Sequence, residues 1–253
     1  KIFIPNGVYD LGETVLTPIN GNNISLIGAS AEKTIIRNKP CVANEGIATT
    51  ATFLITGNNT YLQDLTIENA LDYYNSGAAG RAVTIQDKGN RTICKHVNLR
   101  SYQDTYYSNG NGQYYFEGGE IHGTVDYVCG SGDVFFNKVN FVNEPRSLNN
   151  GGTDVIAAPY PDENNHFGYV MRDCKITNLN REGYSLGRSW GGKSKLAWIG
   201  TTMNEQPLNE DYSIKRFTLN GMNIAAYQFK EYASKDEQGN ILTPQKNVVT
   251  FTH

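Results

Sequence analysis

The sequence predicts an all-β chain wound into a single-stranded right-handed parallel β-helix, on three observations. A short strand ending in a polar residue recurs along the chain. Its centres fall 22 and 20 residues apart where no insertion intervenes, and helical periodicity is nearly absent. This is the period of a solenoid in which each coil buries its inward side chains on the coil below. A leucine-rich horseshoe would place Leu at fixed offsets, and a propeller would need a period about twice as long.

The elements follow in order. KIFIPNGVYD opens as a strand at Ile2 and Ile4 and turns at Asn6-Gly7. A start inside a strand suggests that the natural polypeptide begins earlier. The recurring strand then reads as ISLIG (Ile24 to Gly28), LTIEN (Leu65 to Asn69), VNLRS (Val97 to Ser101), GEIHG (Gly119 to Gly123), VNFVN (Val139 to Asn143) and CKITN (Cys174 to Asn178). Leu99 to Ile121 is 22 residues and Ile121 to Phe141 is 20, whereas Ile67 to Leu99 is 32 and Phe141 to Ile176 is 35. The longer intervals predict loops inserted on one face. Cys94 and Cys174 read as inward ladder residues, and the polar stretch from about Ser234 as an irregular tail. No domain boundary is visible, so 1–253 reads as one domain.

Composition narrows the function classes. With 253 residues, 39% of them apolar, the chain is long enough to bury a full core. Its net charge of −3 and lack of a Lys/Arg run argue against nucleic acid as a partner. No segment approaches the roughly 20 apolar residues of a membrane span. The four cysteines lack CxxC spacing, so zinc and redox readings are weak and most are expected to be buried thiols. Glycosylation tripeptides at Asn23, Asn58 and Asn90 are common by chance in an Asn-rich chain. Trp190 and Trp198 read by default as packing residues, and Arg188 as an ion-pair partner.

The period gathers scattered residues into a site. Asp104 lies five residues after Leu99, and Asp126 five after Ile121, so they occupy the same place on consecutive coils. Their backbones are expected about 4.8 Å apart, the spacing of neighbouring strands. Arg81, 22 residues before Gln103, falls one coil earlier in the same column. Two carboxylates this close cannot both ionise cheaply, and that split supplies an acid and a nucleophile at one pH. Neighbouring Arg or amide donors suit the oxyanion of attack on an ester carbonyl. Turn residues and calcium ligands remain the alternatives for such a pair.

Five segments carry a resemblance over most of the chain: GVY (Gly7 to Tyr9), RAVT (Arg81 to Thr84), YQDTY (Tyr102 to Tyr106), GTVDYVCG (Gly123 to Gly130) and LGRSW (Leu186 to Trp190). In order and spacing they resemble the pectin methylesterases, or pectinesterases, whose fold is a right-handed parallel β-helix. The resemblance implies that Asp126 is the nucleophile on the methyl ester of galacturonate and Asp104 the acid and then the base. Gln103 would donate to the oxyanion, Arg81 would be a further oxyanion donor, and Arg188 would orient Asp126. Trp190, Thr49, Tyr107, Val125 and Cys129 would line the sugar groove.

The same resemblance implies no metal or organic cofactor, pectin or homogalacturonan as partner, a monomer, and a secreted, periplasmic or surface location. Four departures stand out. Arg81 replaces a Gln, Cys129 replaces an aromatic, Ser189 replaces a Pro in the turn before Trp190, and the family's opening strand and helix are missing. A polysaccharide lyase and a non-catalytic glycan-binding β-helix are the alternative readings.

Overall fold

A computed structural model describes residues 1–76, 79–146, 152–160, 166–191, 194–207, 216–218 and 228–242. The chain coils through three parallel sheets in strict rotation, each coil adding one short strand to each sheet. Among the described residues, the first sheet runs in nine strands from Ile2–Ile4 to Phe229–Tyr232, and the second in nine from Gly7–Asp10 to Lys235–Asp236. The third has eight, from Thr17–Ile19 to Phe217–Thr218. The parallel β-helix expected from periodicity is the fold observed.

The core is a set of ladders. Ile67, Leu99, Ile121, Phe141 and Ile176, the strand centres read from the sequence, stack directly on one another in the second sheet. All five are fully buried. Cys94 stacks between Leu62 and Phe116 in the first sheet, and Cys174 is equally buried. All four cysteines are free thiols, Cys41 the exposed one.

Three expectations are corrected. ISLIG belongs to the first sheet, where Leu26 pairs with Leu62, whereas the second-sheet strand of that coil is Thr34–Asn38. Alternation alone does not distinguish the sheets, because both bury every second residue. The tail expected from Ser234 still contributes Lys235–Asp236, paired with Thr202–Met203, because a strand's edge pairs by main chain and needs few apolar side chains. Residues 243–253 of that tail lie outside the described residues. Finally, the extra length is not confined to one face: it is inserted between second-sheet and third-sheet strands after Asn69 and Asn143, and between third-sheet and first-sheet strands after Pro159.

Two devices shape the coils. From the third coil on, the corner between first and second sheets is made by left-handed residues, at Asp64, His96, the Gly118-Gly119 pair, Lys138, Asp173, Gly200 and Ala233. A single positive-φ residue redirects the strand without a loop. At the next corner the polar strand-end residues turn inward. Asn69 donates to the carbonyls of Thr50 and Val83 at 2.7 and 2.8 Å, Ser101 to that of Ala82 at 2.6 Å, and Asn143 to Asn178 Oδ1 at 3.1 Å. Asn69 and Ser101 thereby satisfy loop carbonyls that the solenoid buries beside the third sheet, while Asn143 ladders onto Asn178.

Candidate active site

Asp104 and Asp126 stand at the entry to adjacent third-sheet strands. Tyr106 pairs with Val128 at a 22-residue offset, and the same offset relates the two aspartates. The backbone N–H of Asp104 donates to the carbonyl of Val125 at 3.1 Å. Both residues are left-handed, φ 59° and 52°, a conformation that Asp tolerates better than most residues. It makes a register irregularity between Val125 and Val128 and aims both carboxyls to the same side. Both residues are nearly buried, at 4% and 5% whole-residue exposure.

Arg188 ends the strand Tyr184–Arg188, two coils beyond Asp126. Its Nε–H donates to Asp126 Oδ1 at 2.8 Å, and Nη2 makes the second bond of the fork to Oδ2. The surface ion pair that serves as the default for a lone Arg is instead a half-buried clamp. Burial first, and then the charge of Asp126, pushes the Asp104 carboxyl well above the usual carboxylate range. Arg81, Arg188 and the Cys129 thiol pull it only partly back. One carboxyl is therefore biased towards its protonated form while its neighbour is clamped by a guanidinium, which is the asymmetry an acid–nucleophile pair requires.

Gln103 is half-buried beside Asp104, and its main chain pairs with that of Arg81, one coil back as the spacing predicts. Arg81 is bound to Glu45, whose carboxylate accepts its Nε–H at 3.1 Å, its Nη2–H at 2.9 Å and its backbone N–H at 2.9 Å. Cys129 lies on the outward column with Tyr107 yet is buried at 1% exposure, its thiol 3.8 Å from Asp104 Oδ1. Burial, then Asp104 and Asp126, push this thiol well above its usual range, so it borders the acid as a neutral group. Val125 is half-buried against Asp104. Exposed Thr49 donates to the carbonyl of Asn44 at 3.0 Å within its own loop, while its neighbour Thr50 reaches the carbonyl of Arg81 at 3.1 Å.

Trp190 and Tyr107 flank a pocket of about 230 Å³, which Ser108, Asn109, Gly130, Ser131 and Tyr160 complete. The ring centroids of Tyr107 and Tyr160 lie 6.0 and 5.7 Å from that of Trp190. Ser189, which stands where the family has a Pro, does not leave the turn before Trp190 loose. Its buried hydroxyl donates to the carbonyl of Gly191 and meets Ser194 Oγ at 2.6 Å, tying the turn that carries Trp190. Trp198, by contrast, is fully buried core.

Sequence reasoning missed Glu45, Tyr160 and a tyrosine cluster beside the aspartates. Tyr73 stacks on Tyr102 at 4.7 Å, and Thr124 donates to Tyr73 Oη at 3.3 Å. Only the unusual Arg81, a charge in need of a partner, could have pointed to Glu45. Among the described residues no three His, Cys, Asp or Glu side chains converge to hold a metal ion.

A parallel β-helix with stacked aspartates at the entry to two neighbouring strands, one of them forked to an arginine beside an aromatic-walled pocket, defines a class: solenoids with a paired-carboxylate site. Within it, the chain belongs to the pectinesterase family, whose model, described as Pectinesterase, matches residues 1–236. It is 26% identical to Pectinesterase A of Dickeya dadantii, over 95% of this chain and 70% of that protein. It is 29% identical to Pectinesterase 2 of Citrus sinensis, over 80% of this chain and 39% of that one. The chain thus spans about four-tenths of the length of plant relatives such as this one. Among solved structures, pectin methylesterase PemA from Erwinia chrysanthemi superposes with TM-score 0.79 at 24% identity, covering 99% of this chain and 83% of that one. The carrot pectin methylesterase gives TM-score 0.75 at 18% identity, covering 99% and 78%.

Proposed function

We propose that this chain is a carboxylic ester hydrolase that removes methyl esters from the galacturonate units of pectin. The observation that carries the reading is the asymmetric pair, Asp104 with a raised carboxyl and Asp126 in the fork of Arg188, one coil apart. Family membership supports the substrate.

Each group then has a task. Asp126, oriented by Arg188, attacks the C6 carbonyl, and the Gln103 amide donates to the oxyanion. The proton on Asp104 passes to the methoxy oxygen as that C–O bond breaks, and methanol leaves an acyl-enzyme anhydride. Asp104, now a carboxylate, takes a proton from water as the hydroxyl adds to the galacturonyl carbonyl. The anhydride opens, Asp126 returns as carboxylate, and the new uronic acid releases its proton to solvent. Trp190, Tyr107 and Tyr160 offer aromatic faces to the pyranose.

The partner on this reading is homogalacturonan, a polymer that cannot cross a membrane intact, so the protein works outside the cytoplasm. The test is methanol release and acidification from methylated pectin. Wild type is expected to release methanol and Asp126→Ala to release none while still binding oligogalacturonides. A purified wild type that frees no methanol from any methylated galacturonan would refute the reading.

A further inference from the structure

The proton that Asp104 delivers has two oxygens on which to sit, and the structure makes them unequal. Oδ1 accepts from the Cys129 thiol at 3.8 Å, within reach of the long S–H donor. Among the described residues no other hydrogen bond reaches the Asp104 carboxyl. Strand pairing holds the two groups together. Cys129 lies beside Tyr107, three residues after Asp104, on one side and beside Ala158 on the other. Its strand neighbours Val128 and Gly130 are buried as it is, so the thiol has little freedom to turn away.

The thiol is a neutral donor. Burial first, and then the charges of Asp104 and Asp126, disfavour a thiolate here. The other ionisable groups around Asp104 are Asp126 one coil on, Arg81 one coil back, Arg188 two coils beyond Asp126, and the Tyr107 phenol on its own strand. None of them bonds to its carboxyl, so they act on its charge and do not choose between its oxygens. Cys129 does choose. A hydrogen donated to Oδ1 excludes a second hydrogen carried there, which leaves Oδ2 to bear the proton. Once the proton has gone, the same donor favours the carboxylate and leaves Oδ2 open to take a proton from water.

We propose that Cys129 is a positioning residue for Asp104: its thiol, donating to Oδ1, confines to Oδ2 both the proton that the acid gives and the lone pair that the base uses. The proposal rests on the methylesterase reading above.

The pH dependence of methanol release from methylated pectin, for wild type, Cys129→Ala and Cys129→Ser, tests it. The alkaline limb of kcat/KM reports loss of the Asp104 proton in the free enzyme. A donor to the carboxylate favours that loss, so removing it is expected to move the limb about half a unit higher in Cys129→Ala. With the proton divided between two oxygens, kcat is expected to fall about two- to fivefold. Cys129→Ser keeps a hydroxyl donor and is expected to return the limb and most of kcat. A limb unmoved in Cys129→Ala, or a serine variant no better than the alanine one, would make Cys129 a packing residue and overturn the proposal. The S–H stretching band needs no turnover. The Cys129 component, identified by its loss in Cys129→Ala, is expected at lower frequency in wild type than in Asp104→Ala, and equal frequencies overturn the proposal. A wild type that releases no methanol sinks the esterase reading alone, and the band still decides whether the thiol donates to Asp104.

Discussion

Replacing Arg188 by Gln removes the fork that holds Asp126. The Arg188 and Asp126 side chains are 20% and 7% exposed, so solvent screens their interaction little. Removing one partner of such a pair leaves a nearly buried carboxylate uncompensated, at about 3–5 kcal/mol. For a chain of this length each kcal/mol moves Tm by roughly 2–4 °C, so Arg188→Gln is expected to melt roughly 6–20 °C lower. Arg188→Lys keeps the charge but loses the planar fork, and should cost about 1–2 kcal/mol. Turnover should fall about 100-fold or more in Arg188→Gln, comparable to losing a preorganised catalytic hydrogen bond, and about tenfold in Arg188→Lys. The assay is methanol release together with urea unfolding of Arg188→Gln, Asp126→Asn and the double variant. A coupling energy of about 2–3 kcal/mol is expected for residues in direct contact. Zero coupling, or an Arg188→Gln enzyme that turns over and melts like wild type, would refute the clamp.

Three further outcomes are expected. The Asp104 carboxyl is raised from 3.8 in the folded state by burial and by Asp126. Its contribution is therefore fully present below the unfolded value and lost as pH rises through the folded value, so Asp104→Asn should gain stability relative to wild type as pH rises above about 4. Urea melts that keep a constant difference across pH would contradict this. Asp154 is fully buried, neither of its carboxyl oxygens has a well-formed hydrogen bond among the described residues, and burial, offset only partly by the nearby Asn180 amide, raises it from 3.8 to about 8. At about 1.4 kcal/mol per pKa unit, Asp154→Asn should be up to about 4 kcal/mol more stable than wild type at neutral pH, with the two converging in acid. Equal stabilities throughout would show that the buried carboxyl is satisfied. Trp190→Ala opens the aromatic pocket and should raise KM on pectin about tenfold with a smaller change in kcat. A change confined to kcat would move Trp190 from binding to chemistry.

The sequence by itself determined the solenoid and the pairing of its aspartates. A repeat of about one coil is a one-dimensional signal, so Leu99 over Ile121, and with them Asp104 beside Asp126, follow from counting. The 22-residue step from Arg81 to Gln103 was legible for the same reason. Alternation did not separate the sheets, since both bury every second residue, so ISLIG was assigned to the wrong column. Only the tertiary structure decided which groups close around the pair. Arg188 reaches Asp126 from two coils away, Glu45 takes Arg81 from a loop 36 residues earlier, and Tyr160 meets Trp190 just past the ends of two adjacent third-sheet strands. Side chains from inserted loops carry no period, and what they touch depends on where each loop folds back. The solenoid fixes the spacing of the two carboxyls, while burial and the charge of Asp126 raise the carboxyl of one and Arg188, ending a third-sheet strand two coils on, clamps the other.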